Sequence, residues 1–192
     1  EIMPSLVGSE MCIRDSPNHL NLGIRYGYIE QLDDELLRIS KESFDALSFN
    51  CYALSPDHEK MNHALEISGV QMIIGEYHFG TVDRGLAQSL WQVNSQKERG
   101  DAFRYYTENA FAHRGLIGTG WFRWIDQNIN GRTDGENYNC GFIDVTDRPY
   151  PYMVDAAIEA AKSLYEIHSG TKTPFHQAPN AVGHSPIPDL WE

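Results

Sequence analysis

Cysteine is scarce in this chain, with three in 192 residues, at positions 12, 51 and 140. Their spacing fits neither a zinc-ligand pattern nor a disulfide framework, and it leaves the redox compartment open. Basic residues are also few. Fifteen Lys and Arg stand against 27 Asp and Glu, a formal net charge of −12. A chain this acidic repels phosphate backbones, so nucleic acid is not an expected partner. No apolar run approaches the ~20 residues of a membrane-crossing helix, so no membrane partner is expected either. A glycine-rich phosphate loop is missing after the first strand-like run, which argues against a nucleotide-binding sheet, and no cofactor is expected. Disorder as a general state is excluded by composition: 41% hydrophobic and 22% charged residues are ordinary globular values.

Residues 1–16 lack the basic start and continuous apolar core of a signal peptide. Ser5 to Ser16, SLVGSEMCIRDS, resembles translated sequencing-adapter read-through. On that reading native sequence begins near Pro17, the preceding part of the protein is missing, and Cys12 carries no meaning. The alternative is an ordinary N-terminal segment.

From residue 17 one pattern repeats: a short apolar run, then a polar segment with helical spacing. The runs are His19–Ile24 (followed by Arg25 and Tyr26), Ala46–Phe49 (ending in Asn50, Cys51 and Tyr52), Val70–Gly75 and Leu116–Trp124. The intervening segments predict helices over Asp33–Glu42, capped by Asp33, and over His58–Ser68, stopped by Gly69. Two more are predicted from about Gln92 to His113 and from about Tyr152 to Ile167. A Gly/Asn/Asp-rich loop spans 126–141, and a proline-containing stretch without periodicity runs from 170 to 192. Four strand–helix units predict an α/β fold with a parallel sheet. An open doubly wound sheet and a (β/α)8 TIM barrel both fit. A whole barrel needs roughly 250 residues. The expected architecture is therefore the C-terminal half of a barrel, a fragment over 17–169 with a tail at 170–192.

In such barrels the site lies at the C-terminal ends of the strands. The polar and aromatic residues that follow each run are thereby expected to converge: Arg25; Asn50 and Tyr52; Glu76 and His78; Trp121, Trp124, Asp126 and Gln127. Glu76 is the sharpest candidate, because it leaves a strand directly after Gly75, beside the expected position of Arg25. Its roles are nucleophile or electrostatic stabiliser; the plainer reading is a strand-end ion pair. Trp121 and Trp124 suit stacking on sugar rings, with Tyr52 and Tyr77 facing the same mouth; core packing is the alternative. His78, two residues on, points with Glu76 if the strand persists. The remaining histidines are expected to face solvent, and Cys51 to be a buried structural thiol.

These residues resemble a family. From about Asn18 to Tyr165 the chain is similar to the C-terminal half of the catalytic barrel in glycoside hydrolases of clan A, most of all the β-agarase-type enzymes of family 50. The resemblance rests on NHLNLGIRY (18–26), DALSFNCY (45–52), MIIGEYHFGTVDRG (72–85) and GTGWFRWIDQNINGRTDGENYNCGFIDVTDRPY (118–150). It implies a retaining glycosidase with Glu76 as nucleophile after the seventh strand. The acid/base glutamate is then expected upstream of residue 17, so this polypeptide alone is expected to be inactive. The resemblance further implies a polysaccharide or oligosaccharide substrate, agarose or another galactose-containing glycan. Arg25, Asn50, Tyr52, His78, Trp121, Trp124, Asp126, Gln127, Glu136 and Asn137 would bind it. A polymeric substrate implies a secreted or periplasmic parent. Two other readings stay open: a carbohydrate-binding barrel without turnover, and a metal-dependent hydrolase using His78, Glu76 and Asp126.

Overall fold

The computed structural model describes residues 18–183. The adapter-like segment, Cys12, His184 and the prolines at 186 and 188 lie outside the described residues. Local chemistry starts and stops each helix. The Asp33 carboxylate accepts from the Leu36 N–H at 2.8 Å and opens α1, Asp34–Ser43. Asp57 accepts from the N–H groups of Glu59 and Lys60 and opens α2, His58–Ser68. Gly69, at φ 68°, closes it in a left-handed conformation that a side chain would oppose. Ser95 caps α3, Gln96–Phe111, and Pro151 sits in the first turn of α4, Pro151–His168.

Four parallel strands alternate with these helices: β1 (Arg25–Tyr26), β2 (Ala46–Asn50), β3 (Gln71–Tyr77) and, after a short strand β4 (Trp91–Gln92), β5 (Leu116–Trp121). Their order in the sheet is β1-β2-β3-β5. Each neighbour is the next sheet strand along the chain, so every crossover is a helix. That is the connectivity of four units of a (β/α)8 barrel. β4 pairs antiparallel with β6 (Val182–Gly183) in a separate two-stranded ribbon.

The core lies between sheet and helices. Leu47, Phe49, Met72, Ile74 and Leu116 are buried against Leu37, Met61, Ala64, Ala102, Tyr106, Ala110, Met153 and Ala160. Packing such side chains at ~25 cal/mol per Å² of apolar surface is what holds the layers together.

Three expectations need correction. The run at 19–24 is not a strand; Gly23 has φ 69°, and pairing begins only at Arg25. The third helix begins at Gln96 rather than Gln92, because Ser95 supplies the cap and Trp91–Gln92 is extended. Tyr77 does not face the strand-end mouth. It is buried, stacked on Tyr106 at 4.0 Å, with its hydroxyl 2.5 Å from that of Thr107.

The register between β2 and β3 explains the last point. Phe49 pairs with Ile74, but the next residue, Asn50, pairs with Glu76. Gly75 is thus an extra residue, a bulge in β3. Strict alternation would send Glu76 to the face of Met72 and Ile74, into the helix-packed core. The bulge resets the alternation, so Tyr77 enters the core and Glu76 turns to the opposite face.

Candidate active site

All four sheet strands run in one direction, so Arg25, Asn50, Glu76 and Trp121 reach the same end of the sheet. Glu76 is the focus there. One carboxylate oxygen lies 2.9 Å from a guanidinium nitrogen of Arg25. The other accepts from the Tyr52 hydroxyl at 2.7 Å and the Asn50 side-chain amide at 3.3 Å. The peptide N–H of Cys51 donates to the Glu76 carbonyl at 2.9 Å, tying the β2 exit to the same residue. Three side chains, from β1, the end of β2 and the loop that follows it, therefore hold one carboxylate, itself only partly exposed. Burial, followed by the hydrogen bond to Glu76 and its charge, pushes the Tyr52 phenol far above its usual range. Tyr52 is a hydroxyl donor at every working pH. Asn50 Oδ1 is buried without a partner among the described residues. The amide can turn only one way, since its oxygen would repel the carboxylate.

His78 does not join this cluster by hydrogen bonding. β3 ends at Tyr77, so the parity expected from Glu76 lapses. The Leu90 N–H donates to its Nε2 at 3.2 Å, which leaves the proton on Nδ1 to be donated to the Phe122 carbonyl at 3.1 Å. Burial pushes its pKa down to about 3, so the ring is neutral. Its part is mechanical: it meets the Tyr52 ring edge-on, 4.9 Å between centroids.

The two tryptophans separate. Trp121 is half-buried; its indole N–H donates to the Cys140 carbonyl at 2.7 Å, and its ring packs on Tyr77, Phe103 and Phe142. Trp124 is 68% exposed and lies nearly parallel to Phe142.

Asp126 and Gln127 are buried and serve the loop. Asp126 accepts from the Asn139 amide, the Gly141 N–H at 2.7 Å and the Tyr150 hydroxyl at 2.6 Å. Gln127 donates to Glu136 at 2.7 Å and accepts from the Tyr138 N–H at 2.6 Å. Glu136 also pairs with Arg132 at 3.2 Å, and its charge reaches Tyr52. Asn137 joins two backbones, donating to the Ile129 carbonyl and accepting from the Ala87 N–H. Among the described residues no three His, Cys, Asp or Glu side chains are grouped to hold a metal ion, and His78, Glu76 and Asp126 are spoken for separately.

Burial lifts the Cys51 thiol to about 11, which keeps it protonated and inert as a nucleophile. The expectation that the other histidines face solvent fails for His113, which is buried and accepts the Gly115 N–H.

Sequence reasoning missed the supports of the 126–141 loop. Arg99, fully buried in α3, donates to the carbonyls of Asn139 at 2.9 Å and Gly141 at 2.5 Å and lies over the Tyr150 ring. Gln96 donates to Thr81, Asp83 and Asn139. Both look like ordinary surface positions of a polar helix, and no local pattern marks them. Arg132 was missed as well; Glu76 lies within reach of its charge.

No protein-family model matches the chain. Beta-agarase A of Vibrio sp. (strain JT0107) is 36% identical over 156 residues, which are 78% of this chain and 16% of that protein. A solved exo-β-agarase superposes with a TM-score of 0.76 at 34% identity, covering 83% of this chain and 21% of the other. PfGH50B superposes with a TM-score of 0.77 at 37% identity, covering 85% of this chain and 24% of the other. Over most of its length this chain is therefore homologous to β-agarases, and it spans 16% of the length of the curated relatives it matches.

Proposed function

We propose that the chain is the C-terminal half of the catalytic barrel of a retaining glycoside hydrolase of family 50, acting on agarose or another galactose-containing glycan. The observation that carries this reading is the convergence of Arg25, Asn50 and Tyr52 on Glu76 at the C-terminal strand ends. Names of the similar proteins supply the substrate class.

In the proposed reaction Glu76 is the nucleophile. Its carboxylate attacks the anomeric carbon, the glycosidic C–O bond breaks, and a glycosyl-enzyme ester forms. The leaving oxygen takes a proton from a second carboxyl group ~5–5.5 Å from the first, which then activates water to cleave the ester. We assign that acid/base to a barrel strand other than β1, β2, β3 and β5. Arg25, Asn50 and Tyr52 fix the direction of attack by holding both carboxylate oxygens. The exposed face of Trp124 stacks on a sugar ring; it would equally serve a binder without turnover.

The test is a 2-deoxy-2-fluoro galactoside with a good leaving group, applied to an enzyme that carries this sequence within a complete barrel. Peptide mapping is expected to find the sugar on Glu76. A label on another carboxylate, or none together with intact hydrolysis, sinks the assignment.

A further inference from the structure

Tyr52 lies in a loop, two residues beyond the end of β2, yet its hydroxyl must meet Glu76 within hydrogen-bond distance. Something has to hold its main chain. The indole N–H of Trp91 donates to the Tyr52 carbonyl at 2.8 Å. Trp91 is in turn fixed from three sides. Its own carbonyl accepts from the Gly80 N–H at 2.9 Å and from the Ser89 hydroxyl at 2.6 Å. Its ring stands edge-on to Phe79. On the remaining side Gly183 of β6 pairs with it, so close that a Cβ on Gly183 would lie 3.1 Å from the indole.

The strand that brings Gly183 there belongs to the stretch after α4. That stretch is fastened along α3: the Phe175 N–H donates to Glu108 at 2.7 Å, the Asn109 amide donates to the Phe175 carbonyl at 3.0 Å, and Arg104 lies over the Phe175 ring. It then crosses to the strand-end face and adds β6 beside β4. Residue by residue the connection reads Gly183, Trp91, Tyr52, Glu76. The same Tyr52 is braced on its ring by His78, whose Nε2 is held by the N–H of Leu90, the neighbour of Trp91.

We propose that Trp91 is a positioning residue for Glu76, acting through Tyr52, and that the strap at Val182–Gly183 clamps the indole in place. The inference rests on Glu76 being the reacting carboxylate, but its contacts do not depend on that role. Packing of the half-buried Trp91 ring does not by itself call for a donor aimed at Tyr52; the N–H is the specific feature.

The test uses the 192-residue chain and needs no turnover. Tyrosines are labelled with 13C at Cζ, and the Tyr52 signal is assigned with Tyr52→Phe. Trp91→Phe keeps an aromatic ring and removes the donor. Gly183→Val keeps the donor and displaces the ring, which guards against the first variant failing to fold. The expected result is that the Tyr52 signal moves in both variants and that its ionisation falls toward the ordinary tyrosine range of about 10, while the other tyrosine signals stay within the wild-type spread. Lower thermal stability with an unmoved Tyr52 signal overturns the proposal, because a purely structural tryptophan gives that outcome. In a complete enzyme the same Trp91→Phe change is expected to lower kcat about tenfold with KM unchanged, and to add nothing in a Tyr52→Phe background. Equal losses in both backgrounds overturn it.

Discussion

Arg25 and Glu76 form a 2.9 Å ion pair across two strands that are not neighbours, β1 and β3, with β2 between them. The guanidinium reaches over β2 because Gly75 presents no side chain. A Cβ there would sit 2.4 Å from Arg25 Cδ and 3.2 Å from Asn50 Oδ1.

Gly75→Ala follows directly from that clearance. Arginine is flexible and can move aside, so the fold should hold, with a stability change of about 1 kcal/mol. The pair with Glu76 should not survive the shift. Binding of an agaro-oligosaccharide, measured by calorimetry, is expected to weaken several-fold while the urea midpoint moves little. An unchanged affinity shows that the arginine's position is immaterial.

The two strand-end tryptophans are expected to divide stability from binding. Trp121→Ala removes a ring packed on Tyr77, Phe103 and Phe142 together with a hydrogen bond to Cys140, and should lower stability by about 2–3 kcal/mol. Trp124→Ala removes an exposed face and should change stability by less than about 0.5 kcal/mol, yet weaken oligosaccharide binding about tenfold. Denaturation and calorimetry on the two variants distinguish them; the reverse pattern refutes the assignment.

His78 makes stability depend on pH. Its folded pKa is about 3, below the unfolded value near 6.5. Between those limits the unfolded chain binds the proton and the native one does not. Stability from this group is therefore complete above pH ~6.5 and is lost as pH falls toward 3, by up to about 1.4 kcal/mol per pH unit. His78→Gln should be less stable at pH 7, because two part-buried backbone partners, the Leu90 N–H and the Phe122 carbonyl, lose their imidazole. It should also lose less stability than wild type between pH 7 and 4.5. Equal losses in urea titrations at the two pH values would contradict the buried neutral ring.

Much of the molecule was legible from residues alone. α1 begins at the aspartate expected to cap it and α2 ends at the glycine expected to stop it, because both are signals between neighbours in sequence. Of the α3 residues that helical spacing puts on one face, Ala102, Phe103, Tyr106 and Ala110 are buried and Phe111 is half-buried. Where the reading failed, the cause was not local. His78 was placed with Glu76 by strand parity, which lapses at the end of β3, and Tyr77 was grouped with the aromatic residues of the mouth, whereas the bulge in β3 turns it into the core. Asp126 and Gln127 follow an aromatic strand end, as site residues do, but partners at 136–150 draw them inside.

Sequence by itself determined the alternation of strands and helices, and with it the parallel sheet and the end at which polar side chains gather. Those depend on periodicity and on contacts a few residues apart. Only the tertiary structure decided that Glu76 faces Arg25, Asn50 and Tyr52 rather than the core, and that Trp91 reaches back to Tyr52. Those outcomes turn on one extra residue in the pairing of β2 with β3, and on contacts between segments far apart in the chain, which no local pattern encodes.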